Sequence, residues 1–189
     1  PKLRPLSMES ANLRELPSTV FNLQELTELK LHMNKLTLTQ ASASKLASLK
    51  NLRVLDLSHN KLNLAPDFSQ MTELRSLNLS QNRLTQWPAG VGNLPHLTHL
   101  DLRANRLVTV PDAYFQLPAS RLSSTSLHDN PLELRTLEAV NELRTRLGLA
   151  LESRTHVPDA PPPGGLWLSQ ELPAAELSLK RDLWEALSA

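Results

Sequence analysis

One eleven-residue pattern, LxxLxLxxNxL, recurs along this chain and constrains its fold more than any other feature. It fits Leu26, Leu29, Leu31, Asn34 and Leu36, and again Leu52, Leu55, Leu57, Asn60 and Leu62. Further copies run through Leu74, Leu77, Leu79, Asn82 and Leu84, then Leu97, Leu100, Leu102, Asn105 and Leu107, then Leu122, Thr125, Leu127, Asn130 and Leu132. A weaker first copy holds Leu3, Leu6, Met8 and Leu13, with Ala11 in the asparagine slot. The copies start at 3, 26, 52, 74, 97 and 122, giving steps of 23, 26, 22, 23 and 25 residues. A unit that short cannot bury its own apolar side, so successive copies must stack.

The alternation at Leu29-x-Leu31 and its equivalents predicts a short strand with two leucines inward and the neighbouring side chains outward. Stacked copies then form one parallel sheet. Asn34, Asn60, Asn82, Asn105 and Asn130 occupy the single slot that is polar in all five good copies. A buried amide must be hydrogen-bonded, at a cost of ~1–3 kcal/mol if it is not, so these five are expected to form a structural ladder between turns. The return segments carry LxxxP punctuation at Leu13 to Pro17, Leu84 to Pro88 and Leu107 to Pro111, followed by Val20, Val91 or Phe115 and then a leucine before the next strand. The second copy instead runs Ala41 to Lys50 with helix-compatible residues, which predicts one short helix there.

On these residues the chain resembles the leucine-rich-repeat family. The resemblance implies an α/β solenoid, a curved right-handed superhelix with short parallel strands on its concave face, over residues 1–132. An end of such a stack must be covered. After Asn130 the period becomes helical, with Pro131 at the first helical position, Glu133 as a capping-box partner, and a stripe of Leu134, Leu137, Val140, Leu143 and Leu147 before Gly148. This reads as a cap helix within 131–150. A proline-rich linker over 151–172 and a terminal helix over 173–189 are expected to follow.

Outward strand positions supply the expected protein-binding face: Glu28, Lys30 and His32; Asp56, Ser58 and His59; Asn78 and Ser80; His99, Asp101 and Arg103; Ser126 and His128. Val54, Ser76 and Ser124 share those strands, and Met33, Gln81 and Asp129 sit just before asparagines. This face is polar, mixed in charge and short of large apolar anchors, which suits a partly wet protein interface.

Catalysis is not expected. There is no cysteine, and Asp56, Ser58 and His59 lack an oxyanion loop and an orienting carboxylate. The one glycine doublet, Gly164-Gly165, follows prolines rather than a strand, so no phosphate cradle is expected. No metal and no cofactor are expected either, because strands ~4.8 Å apart keep histidines of distant repeats beyond shared coordination. A net charge of +1 gives no field for nucleic acid or an anionic membrane, and no apolar run reaches the ~18 residues of a spanning helix. A monomer is expected.

The solenoid, cap, proline-rich linker and a motif from Trp167-Leu168 through Arg181-Asp182-Leu183-Trp184-Glu185-Ala186-Leu187 resemble secreted bacterial effectors of the novel E3 ligase family, the IpaH-like ubiquitin ligases. That resemblance implies a substrate-recognition region, able to restrain a ligase, that binds a host substrate protein in the host cytoplasm. The ubiquitin-charged E2 would then meet only a downstream domain with the nucleophilic cysteine, which this sequence lacks. Pro1-Lys2-Leu3 has neither an initiator Met nor a signal-peptide core, and the last residues stop inside a helical pattern, so the sequence reads as a segment of a longer protein. The alternative is a cytoplasmic scaffold or adaptor with no ligase attached.

Overall fold

The structure, a computed structural model, describes residues 4–155. Among these residues six short strands form one parallel sheet in chain order: β1 (Pro5–Ser7), β2 (Glu28–Lys30), β3 (Val54–Asp56), β4 (Ser76–Asn78), β5 (His99–Asp101) and β6 (Thr125–Ser126). The register aligns Leu6, Leu29, Leu55, Leu77, Leu100 and Thr125 in one row. Leu29, Leu31, Leu55, Leu57, Leu77 and Leu79 are fully buried. Each such leucine contributes roughly 1.5–3 kcal/mol of burial free energy, so a core built almost wholly of one residue type can hold the stack. Thr125 replaces a leucine in the row and is also buried; its hydroxyl is satisfied by donating to Arg121 O at 2.7 Å.

After its second leucine each coil turns sharply through a left-handed residue: Met33, His59, Gln81, Ala104 and Asp129, with φ between 54° and 61°. None is glycine, although an L-residue there costs about 1–2 kcal/mol. The adjacent asparagines hold the turns in place. Asn82 Oδ1 accepts from Leu62 N at 2.9 Å, while its Nδ2 donates to Leu57 O at 2.9 Å and to Leu79 O at 3.1 Å. Asn60 joins Leu36 N to Leu31 O and Leu57 O, and Asn105 joins Leu84 N to Leu79 O and Leu102 O. Asn130 repeats this with Leu107 N, Leu102 O and Leu127 O. Asn34 reaches into the first coil, accepting from Ala11 N and Leu13 N and donating to Met8 O.

The convex side is made of 3-10 turns at Ser18–Asn22, Phe68–Gln70, Val91–Asn93 and Asp112–Gln116, with the helix α1 (Gln40–Ala47) in the longest repeat. Thr39 and Ser42 close a reciprocal capping box at its start. In the turns the inward pair is spaced by three residues: Val20 with Leu23, Phe68 with Met71, Val91 with Leu94 and Tyr114 with Leu117. The inward aromatic of the last turn is therefore Tyr114 and not Phe115, because i→i+3 geometry aligns Tyr114 with Leu117. Phe115 lies outside and stacks edge-on against Tyr114.

A one-turn helix, α2 (Ala119–Ser123), leads into β6, and the cap helix α3 spans Leu134–Arg146, starting three residues later than the sequence suggests. Asn130 cannot cap it, since its side chain is fully engaged in the ladder; Glu133 is the residue before the first turn. Val140 and Leu143 face the solenoid, whereas Leu134 and Leu147 point to solvent. Arg144 takes the fourth inward position instead. Its guanidinium donates to Leu122 O at 2.9 Å and to Ala150 O, and approaches Tyr114 Oη at 3.4 Å. Residues 151–155 are part of this closure and not of a linker: Thr155 N donates to Asn130 O at 2.9 Å, and Arg154 pairs with Asn130 in a parallel bridge beside β6. The expected terminal helix over 173–189 and the rest of the linker lie outside the described residues.

Candidate functional site

The sheet register sorts the concave face into rows that cross the coils. One row runs Ser7, Lys30, Asp56, Asn78, Asp101 and Ser126. The next holds His32, Ser58, Ser80, Arg103 and His128, linked by backbone bonds such as Met33 N to Ser58 O and Ala104 N to His128 O. Glu28, Val54, Ser76 and His99 form the row before them. Lys30, His59, His99 and Arg103 are exposed, and Glu28, His32, Asp56, Asn78, Ser126 and His128 are half-buried. Ser58, Ser80 and Asp101 are buried, contrary to their expected place as solvated contacts.

The cause of that burial is a brace repeated in three coils. Asp56 Oδ1 accepts from Ser58 N at 3.0 Å and from Ser58 Oγ at 2.6 Å. Asn78 Oδ1 does the same for Ser80 N and Ser80 Oγ, at 3.0 and 2.8 Å. Asp101 accepts from Arg103 N at 3.1 Å, and its two oxygens take Arg103 Nε and Nη2 at 2.9 and 2.7 Å. This fork leaves Asp101 only 3% exposed and holds the Arg103 guanidinium above its ordinary pKa, first through the hydrogen bond and then through the charge of Asp101. The spacing Asp56-x-Ser58, Asn78-x-Ser80, Asp101-x-Arg103 carries the signal in the sequence: an Asx carbonyl two residues before a donor. These side chains fix the strand ends and place short groups at the centre of the face, with Lys30 and His32 on one side and His99 and Arg103 on the other.

The same bonds dispose of a nucleophile. Ser58 Oγ donates to Asp56, and Asp56 Oδ2 lies 3.6 Å from His32 Nδ1, so the carboxylate sits between serine and histidine. His32 therefore meets the carboxylate and not the serine hydroxyl, which is not the nucleophile–histidine–carboxylate order of a triad. His32 is held on its other side by Glu9, through Nε2. Among the described residues no group of three or more His, Cys, Asp and Glu side chains is arranged to hold a metal ion.

A second polar cluster, absent from the sequence reading, closes the far end of the sheet. Glu152 is 5% exposed, with its carboxylate 3.4 Å from His128 Nε2 and 3.6 Å from Arg144 Nη1. Neither of its carboxylate oxygens has a hydrogen bond. Burial raises its pKa above the usual carboxylate value, against the opposing pull of His128 and Arg144. His128 meets Ser153 N through Nδ1 at 3.1 Å, so one expected face residue is also part of the end closure. The sequence carries little signal for this, because Glu152 and Arg144 each occur once and belong to no repeated slot.

Stacked parallel coils with an amide spine and a braced polar sheet face define a solenoid docking module. A family profile described as "Leucine rich repeat" matches residues 37–84 and 72–132. The chain belongs to the leucine-rich-repeat family. It is 33% identical to osteomodulin of Mus musculus over 149 residues, covering 75% of this chain and 34% of that protein. It is 36% identical to lumican of Gallus gallus over 138 residues (68% of this chain, 39% of lumican). It is 34% identical to the transforming growth factor beta activator LRRC33 of Danio rerio over 129 residues (68% and 18%). The chain thus spans about a third or less of the length of osteomodulin and of LRRC33. Among solved structures, an internalin from Listeria monocytogenes superposes with a TM-score of 0.53 at 23% identity, covering 76% of this chain and 38% of the internalin, a likeness of fold alone. The BIR2 ectodomain from Arabidopsis thaliana gives 0.52 at 27% identity, covering 71% of this chain and 68% of the ectodomain.

Proposed function

We propose that the chain is a protein-docking module whose partner lies across the concave face, over Lys30, His32, Asn78, His99 and Arg103, with His59, Ser126 and His128 at the margins. The observation that carries this reading is the in-register row of side chains locked by the Asp56, Asn78 and Asp101 braces. Preset side chains lose little entropy on binding, and a polar, mixed-charge face gives specificity more than raw affinity. The family supports the same reading. A photo-crosslinking residue at His99 should capture partner protein that one at Ser44, exposed on convex α1, does not. Equal capture from both positions contradicts the assignment.

For the parent protein we propose two roles. The Trp167-Leu168 and Arg181 to Leu187 motif supports the substrate-recognition region of a secreted bacterial ubiquitin ligase, restraining the ligase and acting on a host protein in the host cytoplasm. Osteomodulin, lumican and LRRC33 lend that assignment no support, and similarity to them fits a scaffold or adaptor without a ligase equally well. Discharge of ubiquitin from a charged E2 by the parent protein supports the first role. A parent that leaves the thioester intact supports the second.

A further inference from the structure

Immediately after the ladder asparagine, four consecutive coils place a cation: Lys35, Lys61, Arg83 and Arg106. All four are exposed. Their backbone amides donate to equivalent positions of the preceding coil: Lys35 N to Leu13 O, Lys61 N to Leu36 O, Arg83 N to Leu62 O and Arg106 N to Leu84 O, at 2.7 to 3.0 Å. The four residues are therefore stacked in register, at roughly the ~4.8 Å spacing of neighbouring strands, so the row is about 15 Å long. Among the described residues none of the four pairs with a carboxylate. The adjoining positions on one side are Met33, His59, Gln81 and Ala104, and on the other Thr37, Asn63, Thr85 and Val108, all without a negative charge. Carboxylates enter only with the next coil, at Asp129 and Glu133.

Four like charges at that spacing repel one another, and the fold compensates none of them locally. The opposite edge of the sheet differs: Arg53 and Arg75 share it with Glu25 and Glu73. The nearly neutral chain as a whole thus conceals one linear, unneutralised row of positive charge. We propose that this row is a subsite for an extended acidic stretch of a protein partner, which would run along the coils beside the concave face. A strand with carboxylates on alternate residues repeats at about 6.8 Å, and long lysine and arginine side chains reach across the mismatch with the coil spacing. Among the adjoining positions His59 is the one ring and none is Phe, Tyr or Trp, so a nucleic acid would find charge without a run of stacking platforms. The cations are spread along a line rather than converging on one point, which disfavours a single phosphate.

This assignment rests on the chain's reading as a protein-docking module. Its test uses the 189-residue chain and a fluorescein-labelled octaglutamate peptide, read by fluorescence polarisation over a salt series. The expected result is binding at low salt that weakens about tenfold in K61E/R83E and in the milder K61Q/R83Q by a smaller factor, with the R53E/R75E control near wild type. Retained circular dichroism melts show that each variant folds. Equal losses in the row and control variants, or no difference from wild type, would overturn the proposal. So would tighter binding of a heparin-derived oligosaccharide or an oligothymidylate of equal charge. Such failures leave the concave-face reading standing, since that is read from crosslinks at His99.

Discussion

The Asn141 carboxamide and the Glu152 backbone exchange two hydrogen bonds: Nδ2 donates to Glu152 O at 3.0 Å, and Glu152 N donates to Oδ1 at 2.8 Å. One side chain of α3 thereby fastens the returning segment 151–155 against the last coil. Asn141→Ala should open this segment at a cost of ~1–3 kcal/mol, because two backbone groups lose their partners. Hydrogen exchange at Glu152 and Thr155 should accelerate, with amides of β3 and β4 unchanged. Uniform acceleration across the sheet would show that the fastening is global.

The same segment makes stability depend on pH. The Glu152 pKa is raised by burial, so the folded state holds the proton more tightly than the unfolded one. Its stabilising contribution is fully present below the ordinary carboxylate value and is lost as pH rises through the raised one. Glu152→Gln abolishes that titration. Urea midpoints of the variant should therefore gain on wild type from acid to neutral pH, and parallel pH profiles would refute the origin of the effect.

Removing one ladder amide leaves one buried backbone donor unpartnered and takes one of two amide partners from each of two carbonyls. Asn82→Ala orphans Leu62 N, while Leu57 O keeps Asn60 and Leu79 O keeps Asn105, and should lower stability by about 1–3 kcal/mol. Asn34→Ala touches a part-buried rung and should cost less. Chemical denaturation ranks the two; an equal or reversed order would mean that depth of burial does not set the cost.

Two substitutions at left-handed residues should act in opposite directions. Ala104 has φ 54°, so Ala104→Gly relieves strain and should stabilise by roughly 0.5–1 kcal/mol after the entropy of glycine is counted. Gly90 has φ +83°, and an added Cβ would come within 2.7 Å of Ser69 Cα and 2.8 Å of Asp67 Oδ1. Gly90→Ala should lower the melting temperature and separate the Asp67-capped turn from Ala89. Thermal melts of the pair decide the matter.

Leucines and asparagines were legible in the sequence because each recurs at a fixed slot, and periodicity reports which way a repeated side chain faces. It does not report depth. Asp101 belongs to an outward row, yet the Arg103 fork folds over it and shuts it from water. Arg144 lies inward although the apolar stripe of α3 passes it by, since carbonyls of Leu122 and Ala150 meet its charge from other segments. Contacts made once, between segments distant in sequence, leave no repeated mark. The row Lys35, Lys61, Arg83 and Arg106 was in plain view as a column, but only the backbone register shows its members to be neighbours.

The slot that Ala11 occupies has a consequence for how the stack comes apart. Alanine offers no amide, so the first coil is tied to the second through the Asn34 rung, while the last coil is clasped by α3 and by residues 151–155. Within residues 4–155, heat or tension should therefore loosen the Ala11 coil before the coil that α3 clasps, like pages leaving a book bound firmly at one cover.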